Sequence, residues 1–177
     1  GANPRSRMAT AKKGPLKPGE IDRRLGGSNA PLREGKGTTW EGGMRAPMLV
    51  RWPGHVKAGT NPDQIFSSLD WVPTLVNIAG GPKGDGLKKQ IEAGKYPGIV
   101  KTTLDGFDQR DYLEGKADSA RDTFFYYTGA QPSAVRYKNW KFYYTMVSSN
   151  ASDVFLDAKT YHWTMVNNLK RDPFERS

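Results

Sequence analysis

The chain has 177 residues, a mass of 19.7 kDa, a mean hydropathy of -0.71 and a formal charge of +9. Cysteine is absent, which excludes disulfides, thiolate metal sites and cysteine nucleophiles, and two histidines, His55 and His162, are too few for a histidine-rich metal centre. No apolar run approaches the ~20 residues of a membrane span and no signal-like stretch opens the sequence, so we expect no membrane partner.

The N-terminal part of the chain is basic and poor in large apolar side chains. Residues 1–36 contain nine lysines and arginines against three acidic residues, together with four prolines. Such a composition buries too little apolar surface to offset the entropy lost on ordering. We therefore interpret residues 1–25 as a basic, disordered arm, and a polyanion-binding tail is the alternative.

The middle of the chain has an α/β pattern. Met48–Trp52 predicts a buried strand that Pro53-Gly54 ends. A helix is predicted over Asp70–Ala79, with Asp70 as its cap, Pro73 in its first turn and a stop at Gly80. Helical spacing places its apolar residues on one face, namely Leu69, Val72, Leu75, Val76 and Ala79.

A polar connection follows over residues 82–104, with a short helix predicted around Lys88–Ala93. Asp105, Asp108 and Asp111 then recur at intervals of three. Three carboxylates could bind calcium, but their spacing is not that of an EF-hand loop. We favour a turn at Asp105 and a helix through Leu113 that Asp108 caps.

Fifteen of the 20 aromatic residues lie after Asp105 and predict a small antiparallel sheet. Its strands are expected at residues 122–128, 134–137 and 140–145, with a tight turn at Lys138-Asn139 and weaker candidates at 154–156 and 165–169. The aromatic hairpin could stack nucleic-acid bases, but packing of one sheet face against a helix is the preferred interpretation. The residues assigned to that packing are Val135, Tyr137, Trp140, Phe142 and Tyr144.

The stretch from Gly26 to Gly54 contains seven glycines, and Lys36 lies between two of them. Glycines let backbone N–H groups approach an anion closely, and a lysine among them adds a positive charge. The order of residues is not that of a Walker A loop. By itself this pattern is a weak indication of an anion site, and a solvated loop lysine is the alternative.

The same stretch, GGSNAPLREGKGTTWEGGMRAPMLVRWPG, closely resembles a loop and strand in the later half of the arylsulfatase family. The likeness continues in the same order through SSLDWVPTLVNIAG, LDGFDQRDYLEGK, RDTFFYYTGAQPSAVRYKNWKFYY and VNNLKRDPFER. These blocks run from about Gly26 to Arg176. Five ordered blocks are far more specific than any one of them.

The resemblance implies an alkaline-phosphatase-like fold: an α/β domain, ending here at residues 26–104, and a C-terminal antiparallel subdomain over 105–177, in which a helix packs on the sheet. It also implies hydrolysis of sulfate esters by a formylglycine nucleophile with a calcium ion. Lys36 corresponds to a sulfate-binding lysine of that family and is the expected catalytic and substrate-binding residue. Thr38 is assigned to substrate binding, and Glu41 and Arg45 to supporting roles.

Several parts of the family pattern are missing from this sequence. No cysteine or serine stands in a C/S-x-P/A-x-R motif, and Arg23-Arg24-Leu25 stands about where a metal-binding Asp-Asn-Gly is expected. We therefore expect no metal site or cofactor in this chain and no activity from it alone. The resemblance instead implies two partners, a sulfated small molecule or glycan and the N-terminal half of a sulfatase.

Two other functions remain open at this stage. A non-catalytic module could use the Lys36 region to bind sulfated or other anionic ligands. A basic nucleic-acid binder could use the arm and the aromatic hairpin, although only the net charge favours it. The sequence names neither the sulfated substrate nor the compartment, since export is implied by the resemblance alone.

Overall fold

The computed structural model describes residues 29–98, 103–147 and 158–176. The predicted arm at residues 1–25 and the weak strand at 154–156 lie outside these ranges. The helices are α1 Glu41–Met44, α2 Trp71–Ile78, α3 Gly86–Glu92 and α4 Arg110–Leu113, with a 3-10 turn at Ser68–Asp70. The strands are β1 Thr123–Thr128, β2 Gln131–Tyr137, β3 Trp140–Val147 and β4 Ala158–Asn168. None of the described helices is long and apolar enough to span a membrane.

The C-terminal strands form an antiparallel sheet in which each strand pairs with the next along the chain, in the order β1-β2-β3-β4. Tyr137 pairs with Trp140, so Lys138 and Asn139 alone make the turn between β2 and β3, as predicted. Lys138 takes a positive φ of 51° there. The fold is α+β, which agrees with the predicted small antiparallel sheet at the end of an α/β segment.

The two faces of the sheet differ from the prediction. Tyr137, Trp140 and Tyr144 lie on the exposed face, where Phe125 and Tyr127 are also more than half exposed. The opposite face is the buried one, and Trp40 packs against its central side chains, which are Tyr126, Ala134 and Tyr143. The predicted assignment of Val135, Tyr137, Trp140, Phe142 and Tyr144 to the covered face is therefore wrong. Consecutive aromatic residues along the strands lie on opposite faces of the sheet. Both faces are therefore apolar in sequence, and hydrophobicity alone did not identify the buried face.

The predicted strand at Met48–Trp52 is absent, and this segment runs along the surface without regular structure. Leu49 is 99% exposed and Met48 is 40% exposed. No described residue forms a backbone hydrogen bond with residues 46–51. An apolar sequence forms a strand only where another strand offers hydrogen-bonding partners, and none lies beside this segment within the described residues.

Helix α2 begins and ends close to the predicted bounds, but Asp70 has a different role. Its carboxylate accepts the Ser67 N–H at 2.9 Å and so caps the 3-10 turn that precedes α2, not α2 itself. At the other end, Gly80 has a φ of 90° and Gly81 donates to the Val76 carbonyl at 2.8 Å, which is a Schellman stop. The predicted apolar stripe, which begins in the 3-10 turn and continues in α2, is half exposed at Leu69, Val72 and Leu75.

The Asp70 carboxylate also joins the helical region to the start of the sheet. Arg121 donates to both of its oxygens, at 2.6 and 3.0 Å, and the Phe107 N–H donates at 2.9 Å. Burial alone would raise the pKa of Asp70, but Arg121 and the two backbone N–H groups outweigh it and lower that pKa. Asp70 is therefore a buried carboxylate that bonds to a buried guanidinium.

Asp108 precedes helix α4, and its side chain accepts hydrogen bonds from three protein groups. One oxygen accepts the Arg110 N–H at 3.1 Å, and the other accepts from Asn77 and from the Gly84 N–H. Its role in starting the helix is thus close to the prediction, although Gln109 occupies the cap position. Helix α3 agrees with the short helix predicted around Lys88–Ala93.

We expect Asp70→Asn to lower the free energy of unfolding at pH 7 by about 3 kcal/mol, because Arg121 loses its buried anionic partner. The lowered pKa of Asp70 stabilises the fold above its ordinary value of 3.8, and this contribution is lost as the pH falls further. The difference between the two proteins should therefore narrow below about pH 4. Denaturant titration from pH 7 to pH 3 measures it. Asp111→Asn, at an exposed aspartate, is the control, and an equal loss in both variants would contradict the assignment.

Candidate functional site

The Lys36 loop (residues 33–43) has a tight turn at its tip. The Thr38 N–H donates to the Gly35 carbonyl at 3.2 Å, and the Thr38 hydroxyl donates to the same oxygen at 2.9 Å. Gly37 takes a φ of 93°, a conformation that side chains other than that of glycine rarely adopt. The turn therefore places Lys36 and Gly37 at the outermost point of the loop.

Lys36 is exposed, and its ammonium group has no hydrogen-bond or ion-pair partner among the described residues. In contrast, the residues that follow it along the loop, from Thr38 to Gly42, are all buried. The loop thus exposes the Lys36 ammonium group, while the loop residues from Thr38 to Gly42 are packed inside the fold. A lysine without an internal partner keeps its three N–H donors available for an anion.

Gly42 and Gly43 allow the loop to fold back closely on itself. A Cβ atom on Gly42 would lie 2.3 Å from the carbonyl oxygens of Arg33 and Glu34, and one on Gly43 would lie 2.3 Å from the Thr38 carbonyl oxygen. The Gly42 N–H donates to the Arg33 carbonyl at 2.9 Å. These contacts explain why two adjacent glycines follow Glu41.

The base of the loop rests on three buried charged residues, which we call the Lys141 cluster (Glu41, Lys141 and Glu175). Lys141 lies on the inner face of β3 and is fully buried. Its ammonium donates to the Thr39 carbonyl at 2.7 Å, to Glu41 Oε1 at 2.9 Å and to Glu175 Oε1 at 3.0 Å. All three ammonium protons therefore have acceptors, as a buried lysine requires.

Glu175 and Glu41 complete the connection between the loop and the rest of the fold. Glu175 Oε2 accepts the Glu41 backbone N–H at 2.7 Å. Near the same point, the Arg33 guanidinium donates to the Glu175 carbonyl at 2.7 Å and lies 3.7 Å from the centre of the Trp40 ring. The loop is thus held through side chains, backbone groups and a cation–π contact.

Two more side chains from the sheet set the ionisation of Glu41. Tyr126 donates its hydroxyl to Glu41 Oε1 at 2.8 Å, and Arg136 lies 3.7 Å from Glu41 Oε2. Burial alone would raise the pKa of Glu41, but Lys141, Tyr126 and Arg136 together lower it. Burial, together with the charge of Glu41, raises the pKa of Tyr126. Burial likewise raises the pKa of Glu175, although Lys141 opposes that shift.

The predicted site residues occupy different environments. Lys36 lies at the exposed tip, whereas Thr38 is buried with its hydroxyl bonded to Gly35. Glu41 belongs to the Lys141 cluster. Arg45 is exposed and borders a cleft of about 770 Å3 that Glu41 and Arg136 also line, and Lys36 is not part of that wall. Their assigned roles toward a ligand stay predictions.

The sequence interpretation missed Lys141 and Glu175. Lys141 stands between Trp140 and Phe142, and a lysine within an aromatic strand is ordinarily taken as solvent-facing. The useful signal was alternation, because Lys141 and Tyr143 share a face and Tyr143 is a core residue. For Glu175 no local signal existed, since its side-chain contacts lie 34 residues away at Lys141 and 134 residues away at Glu41.

Calcium is the metal that the family resemblance implies. The described residues include no group of three or more histidine, cysteine, aspartate or glutamate side chains that could hold a metal ion. Both oxygens of Asp108 accept hydrogen bonds from protein groups, and Glu41 Oε1 accepts from Tyr126 and Lys141. These residues do not fit a calcium site.

Comparisons with known proteins agree with the resemblance drawn from the sequence blocks. The sulfatase family model matches residues 18–81. Human arylsulfatase A is 40% identical over 111 residues, covering 63% of this chain and 18% of its own length. Mouse steryl-sulfatase is 35% identical over 171 residues, covering 86% of this chain and 25% of its own length. The chain thus spans about a quarter or less of these relatives.

The fold has a match among solved structures. The crystal structure of the PsFucS1 sulfatase from Pseudoalteromonas sp. aligns with a TM-score of 0.65 and 24% identity. The alignment covers 83% of this chain and 28% of that protein. At this identity the match shows the fold, which is that of part of a sulfatase.

We expect Lys141→Met to lower the free energy of unfolding by about 3–5 kcal/mol, because Glu41 and Glu175 would remain buried without their shared cation. Lys170→Met is the matched control, since Lys170 is exposed and should change stability by less than about 0.5 kcal/mol. Denaturant unfolding of both variants measures the difference. Equal stability of the two variants would show that the Lys141 cluster does not stabilise the fold.

Proposed function

We propose, on the premise that this chain is a sulfatase-family sequence, that it contributes the sulfate-binding loop of a sulfate-ester hydrolase, with Lys36 as the cation that binds the sulfate. Sulfate-ester hydrolysis is the activity that the family matches support. The observation that carries the role of Lys36 is its free ammonium group on a loop whose base is buried.

The chemistry required of Lys36 is electrostatic. Negative charge on the sulfate oxygens must be stabilised as the ester bond breaks, and a fixed ammonium group donates hydrogen bonds to those oxygens. Thr38 would support the same site through its position in the turn, since its hydroxyl already bonds to Gly35. Glu41 would hold the loop in place. Arg45, which follows the loop in the sequence, would supply a second positive charge.

Other parts of the reaction require groups from outside this chain. The sequence has no cysteine and no serine in the formylglycine motif, and its described carboxylates do not form a metal site. We propose that the N-terminal half of a sulfatase supplies the nucleophile and calcium. A sulfated small molecule or glycan is the proposed substrate.

Inorganic sulfate tests the role of Lys36 directly. In an NMR titration of the chain, we expect sulfate to shift the amide signals of Gly35, Gly37 and Thr38. Lys36→Ala should weaken sulfate binding about tenfold, because it removes charged hydrogen bonds. Lys57→Ala, at an exposed lysine outside the loop, should change the affinity by less than about twofold. Equal affinities in the two variants would exclude Lys36 as the sulfate ligand.

The same proposal predicts that the chain alone does not hydrolyse an aryl sulfate, with or without added calcium, because it carries no formylglycine precursor. Product release can be followed by absorbance, with Lys36→Ala as the blank. Turnover above that blank would contradict the assignment of the nucleophile to another part of the protein.

A further inference from the structure

We infer that Lys141 and Glu175 are positioning residues that set the direction in which the loop presents Lys36 to an anion. This inference rests on the proposed function, because it concerns the same loop. Neither residue touches Lys36; both act on the backbone of the residues that follow it.

Lys141 acts on the loop at the Thr39 carbonyl. This bond of 2.7 Å is the shortest of the three that its ammonium makes, and it ends on a backbone oxygen three residues from Lys36. The other two protons go to carboxylates that are themselves fixed in place. A buried ion pair needs no contact with the loop backbone to balance its charge, so the Thr39 bond adds a geometric constraint.

Glu175 acts on the other side of Trp40, where its carboxylate accepts the Glu41 backbone N–H at 2.7 Å. The two backbone bonds therefore lie on either side of a buried tryptophan. Glu175 is fully buried and has a φ of 51°, a costly conformation for a residue other than glycine. Surrounding contacts must hold such a residue in place. Here they include the hydrogen bond that the Arg33 guanidinium donates to the backbone carbonyl of Glu175.

The rest of the loop transmits this constraint to its tip. Gly43 packs against the carbonyls of Thr38 and Gly35 with no room for a Cβ atom, and Thr38 closes the turn on Gly35. A shift of the backbone at Thr39 or Glu41 therefore moves the turn that carries Lys36. The inner face of the sheet and the C-terminal segment together determine where the free cation lies.

The experiment uses the full chain, inorganic sulfate as the probe and Glu175→Gln as the principal variant. A glutamine offers one carbonyl oxygen where Glu175 uses two, so either Lys141 or the Glu41 N–H loses its acceptor. We expect sulfate affinity to fall about fivefold, as expected for a positioning residue that does not touch the ligand. We also expect the Gly42 and Gly43 amide protons to exchange faster, with the central amides of β2 and β3 unchanged.

Asp70→Asn separates positioning from general loss of stability. It removes a buried charge, but the hydrogen bonds of its carboxylate go to Ser67, Phe107, Gln109 and Arg121 and not to the loop. Its sulfate affinity should therefore stay within about twofold of the unsubstituted chain. An equal loss of affinity in Asp70→Asn and Glu175→Gln would overturn the inference, as would an unchanged sulfate affinity in Glu175→Gln.

The outcomes also distinguish the inference from the proposed function. If Lys36→Ala weakens sulfate binding as expected and Glu175→Gln leaves the affinity unchanged, the proposed function stands and the inference fails. If the unsubstituted chain shows no response to sulfate, the proposed function fails and the positioning inference fails with it. Should Glu175→Gln not fold, Glu175→Asp keeps the negative charge on a side chain one methylene shorter, which is too short to keep both the Lys141 and the Glu41 N–H bonds. An unchanged sulfate affinity in that variant overturns the inference.

Discussion

The buried ammonium of Lys141 is the interaction on which the rest of the structure depends. Placing a charge in the core costs several kcal/mol unless each proton finds an acceptor, so its position fixes the positions of Thr39, Glu41 and Glu175. Those three residues come from a loop and from a C-terminal segment that have little regular structure of their own. The polar cluster therefore organises parts of the chain that apolar packing alone would leave loosely defined.

The same arrangement separates a buried electrostatic region from an exposed one. Inside the fold, the charges of Glu41 and Glu175 face those of Lys141 and Arg136, so the cations and carboxylates balance. At the loop tip, Lys36 has no such balance among the described residues. Because Glu41 is already paired with Lys141 and Arg136, it does not compete for the ammonium of Lys36. The role proposed for Lys36 toward an anion depends on this free charge.

The sequence predicted local features well and long-range ones poorly. The turn at Lys138-Asn139, the stop at Gly80 and the short helix near Lys88 follow from the residues at those positions, and all three occur. The prediction of a strand at Met48 was wrong because strand formation depends on neighbouring strands, which a local pattern does not contain.

Within the candidate site, the glycines and Lys36 could be identified from the sequence. Lys141 was missed because the buried face of β3 is the one opposite to the predicted face. Glu175 was missed because its partners lie far from it in the sequence. The division at residues 104 and 105 stays a prediction.

The distance along the chain between Glu41 and Glu175 has a consequence for the order of folding. Their contact closes a loop of 134 residues, and that of Lys141 with Thr39 closes one of 102. Contacts so distant in sequence form late, because the entropy of a large closure is lost before any bond compensates for it. During synthesis the glycine-rich segment leaves the ribosome first, yet its supports follow more than a hundred residues later. The Lys36 loop thus reaches its final conformation only after nearly all of this sequence has been translated.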